Sequence, residues 1–147
     1  MNLLELNEYG FLPVPPPCRD VGLDVMPGVF GNTEARHQMW QTFLSFVDLL
    51  QSATTIRRVY VDGEYISALD NPEIMELGVE LHDGITRAEI SALNQPFDQE
   101  WGIMVNFYSP RRPEVHNFHH AFQRPDPTLN LGDLPDDLRK GYLCVSI

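Results

Sequence analysis

The chain has 147 residues, a formal net charge of −11 and 43% hydrophobic residues. That is enough apolar material for one domain with a real core, and it argues against intrinsic disorder. No apolar run approaches the roughly 20 residues needed to cross a bilayer, and the concentrated negative charge argues against direct contact with nucleic acid.

Residues 1–31 hold Pro13, Pro15, Pro16, Pro17 and Pro27 with Gly10, Gly22, Gly28 and Gly31. Such punctuation predicts an extended arm without long regular structure, pinned by Leu12, Val14, Val25 and Phe30. Asn32 or Thr33 then caps a helix to about Ser52. Its apolar residues Met39, Trp40, Phe43, Phe46, Val47 and Leu50 recur every three or four positions, so one face is buried.

A β-branched run, Ile56–Asp62, reads as a strand ended by Gly63, and Ile74–Leu81 as a second. Thr86 can cap a short helix through Leu93. Trp101–Tyr108 is a third strand, stopped by Ser109 and Pro110. Glu114–Phe122 has helical character, residues 125–138 form a Pro- and Asp-rich loop, and Gly141–Ile147 is a terminal strand. Helices mixed with strands and no internal repeat predict a single α/β or α+β domain. It should hold one mixed sheet of about four strands flanked by helices.

The charge is concentrated. Between Asp62 and Glu100 ten acids stand against one base, Arg87. The simplest reading is a solvated acidic face that aids solubility; the alternative is a surface that attracts a basic partner. Cys18 and Cys144 are far apart and outside any metal-type spacing. The opening MNLLELNEYG has no basic n-region, so a reduced, cytoplasmic protein is expected.

Four short pieces, in order, carry a resemblance. Asn7-Glu8-Tyr9-Gly10-Phe11-Leu12-Pro13 fits N-E-x-G-x-L-P. Phe30-Gly31 followed by Arg36 fits a lead into the first helix. Val61-Asp62-Gly63-Glu64-Tyr65 is similar to a strand ending in D-G-S-F. Lys140-Gly141 before the apolar run Tyr142–Val145 is similar to a closing K-G strand. Together they resemble an uncharacterised bacterial family of small proteins with a minimal nucleotidyltransferase-like fold. The resemblance implies a nucleotidyltransferase-like core from residue 32 onward, preceded by the arm.

Nucleotidyl transfer as the resemblance implies it needs two divalent ions held by a D-x-D pair and a third carboxylate on a neighbouring strand. A Gly-Ser pair would offer N–H groups and a hydroxyl to the phosphates. Here Glu64 replaces the serine, which sets a carboxylate against a triphosphate. The D-x-D falls near Ile74-Met75-Glu76, leaving one carboxylate. Glu73 and Glu76, three apart on a strand, point to opposite faces. The strand Gly102–Phe107 contains no acid, and Asn106 offers one neutral oxygen. The catalytic inventory is thus damaged at every position.

Other clusters offer less. His116 and His120 lie one helical turn apart with His119 beside them, but no third zinc ligand is evident, so these read as surface or interface residues. Cys144 reads as core, and Cys18 has no recognisable activating partner. Asp136-Asp137 beside Arg139-Lys140 looks like a charged turn. Arg57-Arg58 and Arg111-Arg112 read as balancing the acidic segment.

The expected function is a non-catalytic acidic binding protein, an immunity protein or antitoxin that blocks a basic toxin by occluding its site. Such a toxin could act on nucleic acid or use a nucleotide cofactor. The partner would be a cationic toxin domain, bound by a monomer in a 1:1 complex, with no cofactor, metal, nucleic acid or membrane involved. The contact residues expected are Asp62, Glu64, Asp70, Glu73, Glu76, Glu80 and Asp83, with Tyr65 as an exposed aromatic anchor. The alternative is a divergent metal-dependent nucleotidyltransferase that uses Glu64 and Glu76.

Overall fold

A computed structural model describes residues 5–53, 55–82, 84–86, 88 and 89, 102–109, 122–124 and 138–146. Five strands form one sheet: β1 (Cys18–Gly22), β2 (Ile56–Gly63), β3 (Met75–Leu81), β4 (Ile103–Tyr108) and β5 (Tyr142–Ser146). Their order is β1-β5-β2-β3-β4. β2 pairs antiparallel with both β3 and β5, while β1–β5 and β3–β4 are parallel. One end of the sheet therefore gathers the start of four strands and the close of β2.

Side chains alternate across that sheet, as the two-residue strand period requires. Val59, Val61, Met75, Leu77, Val79, Leu81, Leu143 and Val145 make one buried apolar face. Helix α2 (Glu34–Ala53) lies in the same core through Trp40, Phe43, Phe46, Val47 and Leu50. Their spacing brings them onto one side of the helix, and burial of each large apolar side chain contributes about 1.5–3 kcal/mol. Thr33 starts α2 as expected: its Oγ1 accepts the Arg36 N–H at 3.2 Å. The short helix α1 (Met26–Phe30) adds Met26 and Phe30 to this core.

The opposite face is polar and aromatic. Tyr60, Tyr142, Phe122 and Cys144 form a smaller buried cluster, with Tyr142 edge-on to both Tyr60 and Phe122. Arg58, Asp62, Glu76 and Glu80 belong to this face by register.

The sheet has five strands because residues 18–22 of the proline-rich arm pair with the chain's last strand. Nothing in CRDVG alternates clearly and three prolines precede it, so pairing rather than local pattern makes it a strand. Leu12 and Phe30 pin the arm, together with Phe11 and Met26, but Val14 and Val25 are exposed. Val14 is flanked by prolines on the outside, and Val25 precedes the first turn of α1. Thr86 Oγ1 accepts the Glu89 N–H at 3.2 Å, a helix-start contact, although most of the expected helix to Leu93 is outside the described residues. So are nearly all of the expected helix at 114–122, His116, His119, His120 and the loop after 124. Among the described residues no helix is long and apolar enough to cross a membrane.

Candidate functional site

The turn from β2 to β3 opens with Gly63 at φ 89°, a left-handed value that favours glycine. A Cβ there would lie 2.8 Å from the Glu76 backbone nitrogen, so space also demands glycine. Glu64–Ile66 then forms a single 3-10 turn. Glu64 closes the connection twice: its N–H donates to Ile74 O at 3.1 Å, and its Oε2 accepts the Glu73 N–H at 3.3 Å. The carboxylate that replaces the expected hydroxyl thus orders the turn.

Arg36 anchors the turn from below. Its buried guanidinium donates to the carbonyls of Phe30, Tyr65, Ser67 and Leu69. Burial holds its pKa below the ordinary arginine value. Ser67 Oγ donates to Glu64 O, the Ala68 N–H donates to Gly10 O at 3.0 Å, and Thr33 Oγ1 donates to Asp70 O at 3.1 Å. Gly10 belongs to a loop whose shape is set by Asn7, which accepts the Tyr9 and Phe11 N–H groups on its side-chain oxygen. The segment 64–70 is therefore fixed by the arm, by the start of α2 and by itself.

Behind the turn lies a buried ion pair. Lys140 Nζ donates to Asp62 Oδ1 and to Phe122 O. Asp62 is pushed up to about 6: burial is the largest cause, Lys140 opposes it, and Glu76 across the strand pair adds to the rise. The next residue continues the link, because the Gly141 N–H donates to Leu12 O at 2.8 Å. All four pieces of sequence that carried the resemblance meet here.

The expected contact residues divide. Asp70 and Glu73 are exposed, and Glu64 and Glu76 are half-buried around the turn. Asp62 is 2% exposed and held by Lys140, so it is an internal charge and not a contact surface. Tyr65, expected as an exposed anchor, is wholly buried. Its ring stacks with Trp40 at 6.4 Å and lies 5.5 Å from the Arg36 guanidinium carbon. The two-residue period that points Val59 and Val61 at the core, carried on through Gly63, puts position 65 on the same side, and the 3-10 turn keeps Tyr65 there. Glu80 is buried too, near the far end of β3, with its Oε2 3.7 Å from Arg58 Nε. That distance allows attraction without a hydrogen bond. Asp83 lies outside the described residues.

Lys140, read from sequence as part of a charged turn, is instead 4% exposed. Its signal was the Lys-Gly pair directly before an apolar strand. Arg36 had the analogous signal, a lone cation at the start of an amphipathic helix. The spacing alone did not say that either would be buried.

A two-ion centre of the kind the resemblance implies does not fit these residues. Asp62 is taken by an ammonium and Glu64 by a backbone N–H. Ile74 stands where the first carboxylate of D-x-D would be. Among the described residues no three His, Cys, Asp or Glu side chains come within reach of one ion.

No curated protein and no solved structure matches this chain. A family match does cover residues 4–146, and it includes all four of the converging segments. The chain belongs to a family of unknown function, DUF6932.

Proposed function

We propose that this protein is a non-catalytic acidic binding protein, an immunity protein or antitoxin that occludes the site of a cationic toxin domain. The observation that carries this reading is the braced turn. Glu64, Asp70, Glu73 and Glu76 stand at the solvent side of a segment fixed by Arg36, while Asp62 beneath them is neutralised internally by Lys140. Carboxylates held on a fixed frame lose little entropy on meeting basic side chains, and their summed field accelerates encounter. The nucleotidyltransferase-like ancestry suggested by the resemblance belongs to the same reading: a frame once suited to phosphate would now present acids.

The test is to mix the full chain with basic toxin domains encoded by neighbouring genes and to measure heats of binding. A complex at micromolar concentration or below is expected. It should weaken with salt and lose about tenfold or more in affinity when Glu73→Lys and Glu64→Lys are combined. No complex with any such domain at micromolar concentration overturns the reading. Magnesium-dependent heat with a nucleoside triphosphate, lost in Glu76→Ala, would replace it with the divergent nucleotidyltransferase.

A further inference from the structure

A cleft of about 640 Å³ opens at the end of the sheet remote from the acidic turn, where α2 finishes, β2 begins and β5 ends. Arg57 and Arg58 both line it. Consecutive residues of a regular strand face opposite ways, so one of them should point elsewhere. The β2–β3 register slips between Ile56 and Arg58, placing Arg57 as an extra residue in the ladder. A bulge of this kind re-aims a side chain, which lets two successive guanidinium groups serve one cleft. Ile56 meanwhile keeps its packing on the apolar core.

Across the cleft stand Asp20 of β1, paired in register with Cys144, and Ser146 at the end of β5, with Thr55 on the connection from α2. The lining is predominantly polar, and the Arg58 guanidinium also meets the Tyr60 side chain in a hydrogen bond and Glu80 at 3.7 Å. The volume falls in the ~300–1,000 Å³ range of small-molecule sites, but without the apolar walls that drug-like ligands need. Two guanidinium groups match a dianionic oxyanion, because their forked donors pair with its oxygens. Asp20, the one carboxylate among the lining residues, would repel a bare anion and would accept a hydroxyl.

We propose that this cleft binds a small phosphomonoester bearing hydroxyl groups, its phosphate taken by Arg57 and Arg58 and a hydroxyl by Asp20. The site is separate from the acidic turn and does not depend on the toxin-binding reading.

Ribose 5-phosphate is a suitable probe, with inorganic phosphate and ribose as separate arms, titrated into the full isotope-labelled chain and followed by amide shifts. Saturable shifts are expected at residues 55–58 and 144–146 with ribose 5-phosphate, weaker ones with phosphate, and none with ribose. Arg57→Gln and Arg58→Gln should each weaken binding about tenfold, as loss of a charge-assisted hydrogen bond does. Asp20→Asn should narrow the gap between ribose 5-phosphate and phosphate by improving the latter. Absence of saturable shifts overturns the proposal, as does unchanged affinity in the doubly substituted Arg57→Gln, Arg58→Gln chain. Shifts confined to residues 62–76 overturn it as well. A drop in melting temperature in Arg57→Gln without any ligand effect would show that the guanidinium serves the end of α2 instead.

Discussion

Lys140 donates an ammonium N–H hydrogen bond to the carboxylate of Asp62, 78 residues earlier in the chain, with both side chains almost wholly buried. The pair joins the end of β2 to the start of β5, and Lys140 also donates to Phe122 O. Each charge would be expensive to bury alone, and the contact with Phe122 O satisfies part of the ammonium's remaining donor capacity. The pair therefore fixes how the last strand enters the sheet beside the acidic turn.

Breaking the pair on one side should be costly. Asp62→Asn or Lys140→Met leaves an uncompensated buried group and should destabilise by about 3–5 kcal/mol. The double variant should lose much less than the two single losses combined, because neither charge is then stranded. Urea denaturation of the four proteins measures the coupling. Additive losses would mean that the two residues act independently.

The same carboxylate should make stability depend on pH in an unusual direction. Its folded pKa is raised from 3.8 to about 6 by burial, with Lys140 only partly offsetting. Between those values the folded state binds more protons than the unfolded one, so this group's contribution to stability falls as pH rises from about 4 to about 6. Most paired aspartates do the reverse. Comparing the pH dependence of urea midpoints for the native chain and Asp62→Asn isolates the contribution, and a carbon-detected titration of Asp62 should give a midpoint near 6. A midpoint below 4 would show that Lys140 outweighs desolvation.

Periodicity made the α2 face and the central strands legible, because Trp40, Phe43, Phe46, Val47 and Leu50 all repeat at helical spacing and all face the core. β1 was not legible, since its strand character comes from pairing with β5 and not from its own five residues. The turn at Gly63 was visible, and the period set by Val59 and Val61 carries Tyr65 to the core side, but the burial of Asp62 was not visible. A carboxylate beside a glycine looks solvent-facing until a lysine 78 residues away is brought to it. Arg36 shows the same limit: its four carbonyl partners lie on two separate stretches of chain, and no local pattern names them.

Arg36 should resist even replacement by another cation. Arg36→Met removes the donors for the carbonyls of Phe30, Tyr65, Ser67 and Leu69 and should destabilise by about 3 kcal/mol or more, since unsatisfied buried acceptors cost about 1–3 kcal/mol each. Arg36→Lys should rescue little, because one ammonium cannot reproduce the forked geometry. Amide exchange should accelerate at residues 67–69 in both variants, since their segment loses its anchor. Full rescue by lysine would reduce the role of Arg36 to charge alone.

Tyr65 offers a contrasting case. Its ring is buried against Phe30 and Trp40, yet among the described residues its hydroxyl meets no hydrogen-bond partner. Tyr65→Phe removes an unsatisfied polar atom while leaving the packing, so stability should hold or rise by up to about 1 kcal/mol. Tyr65→Ala should instead cost about 3–5 kcal/mol, the range for emptying an aromatic core position. Thermal melts of both variants decide it. A large loss in Tyr65→Phe would show that the hydroxyl has a role in the folded chain.

The carboxylates around the turn can be asked whether they serve the fold or something outside it. Glu64, Glu73 and Glu76 crowd one turn, and Glu76 raises the pKa of Asp62 across the strand pair, so like-charge repulsion is built into this end of the sheet. Glutamine keeps the Oε acceptor that Glu64 offers to the Glu73 N–H while removing the charge. The triple variant Glu64→Gln, Glu73→Gln, Glu76→Gln should therefore be as stable as the native chain or more so at low salt, with the difference shrinking at high salt. Such a result means that the carboxylates are retained against the interest of the isolated fold, as a docking surface requires. A loss of more than about 1 kcal/mol would instead assign them to holding the turn, and the case for a cationic partner would lose its main support.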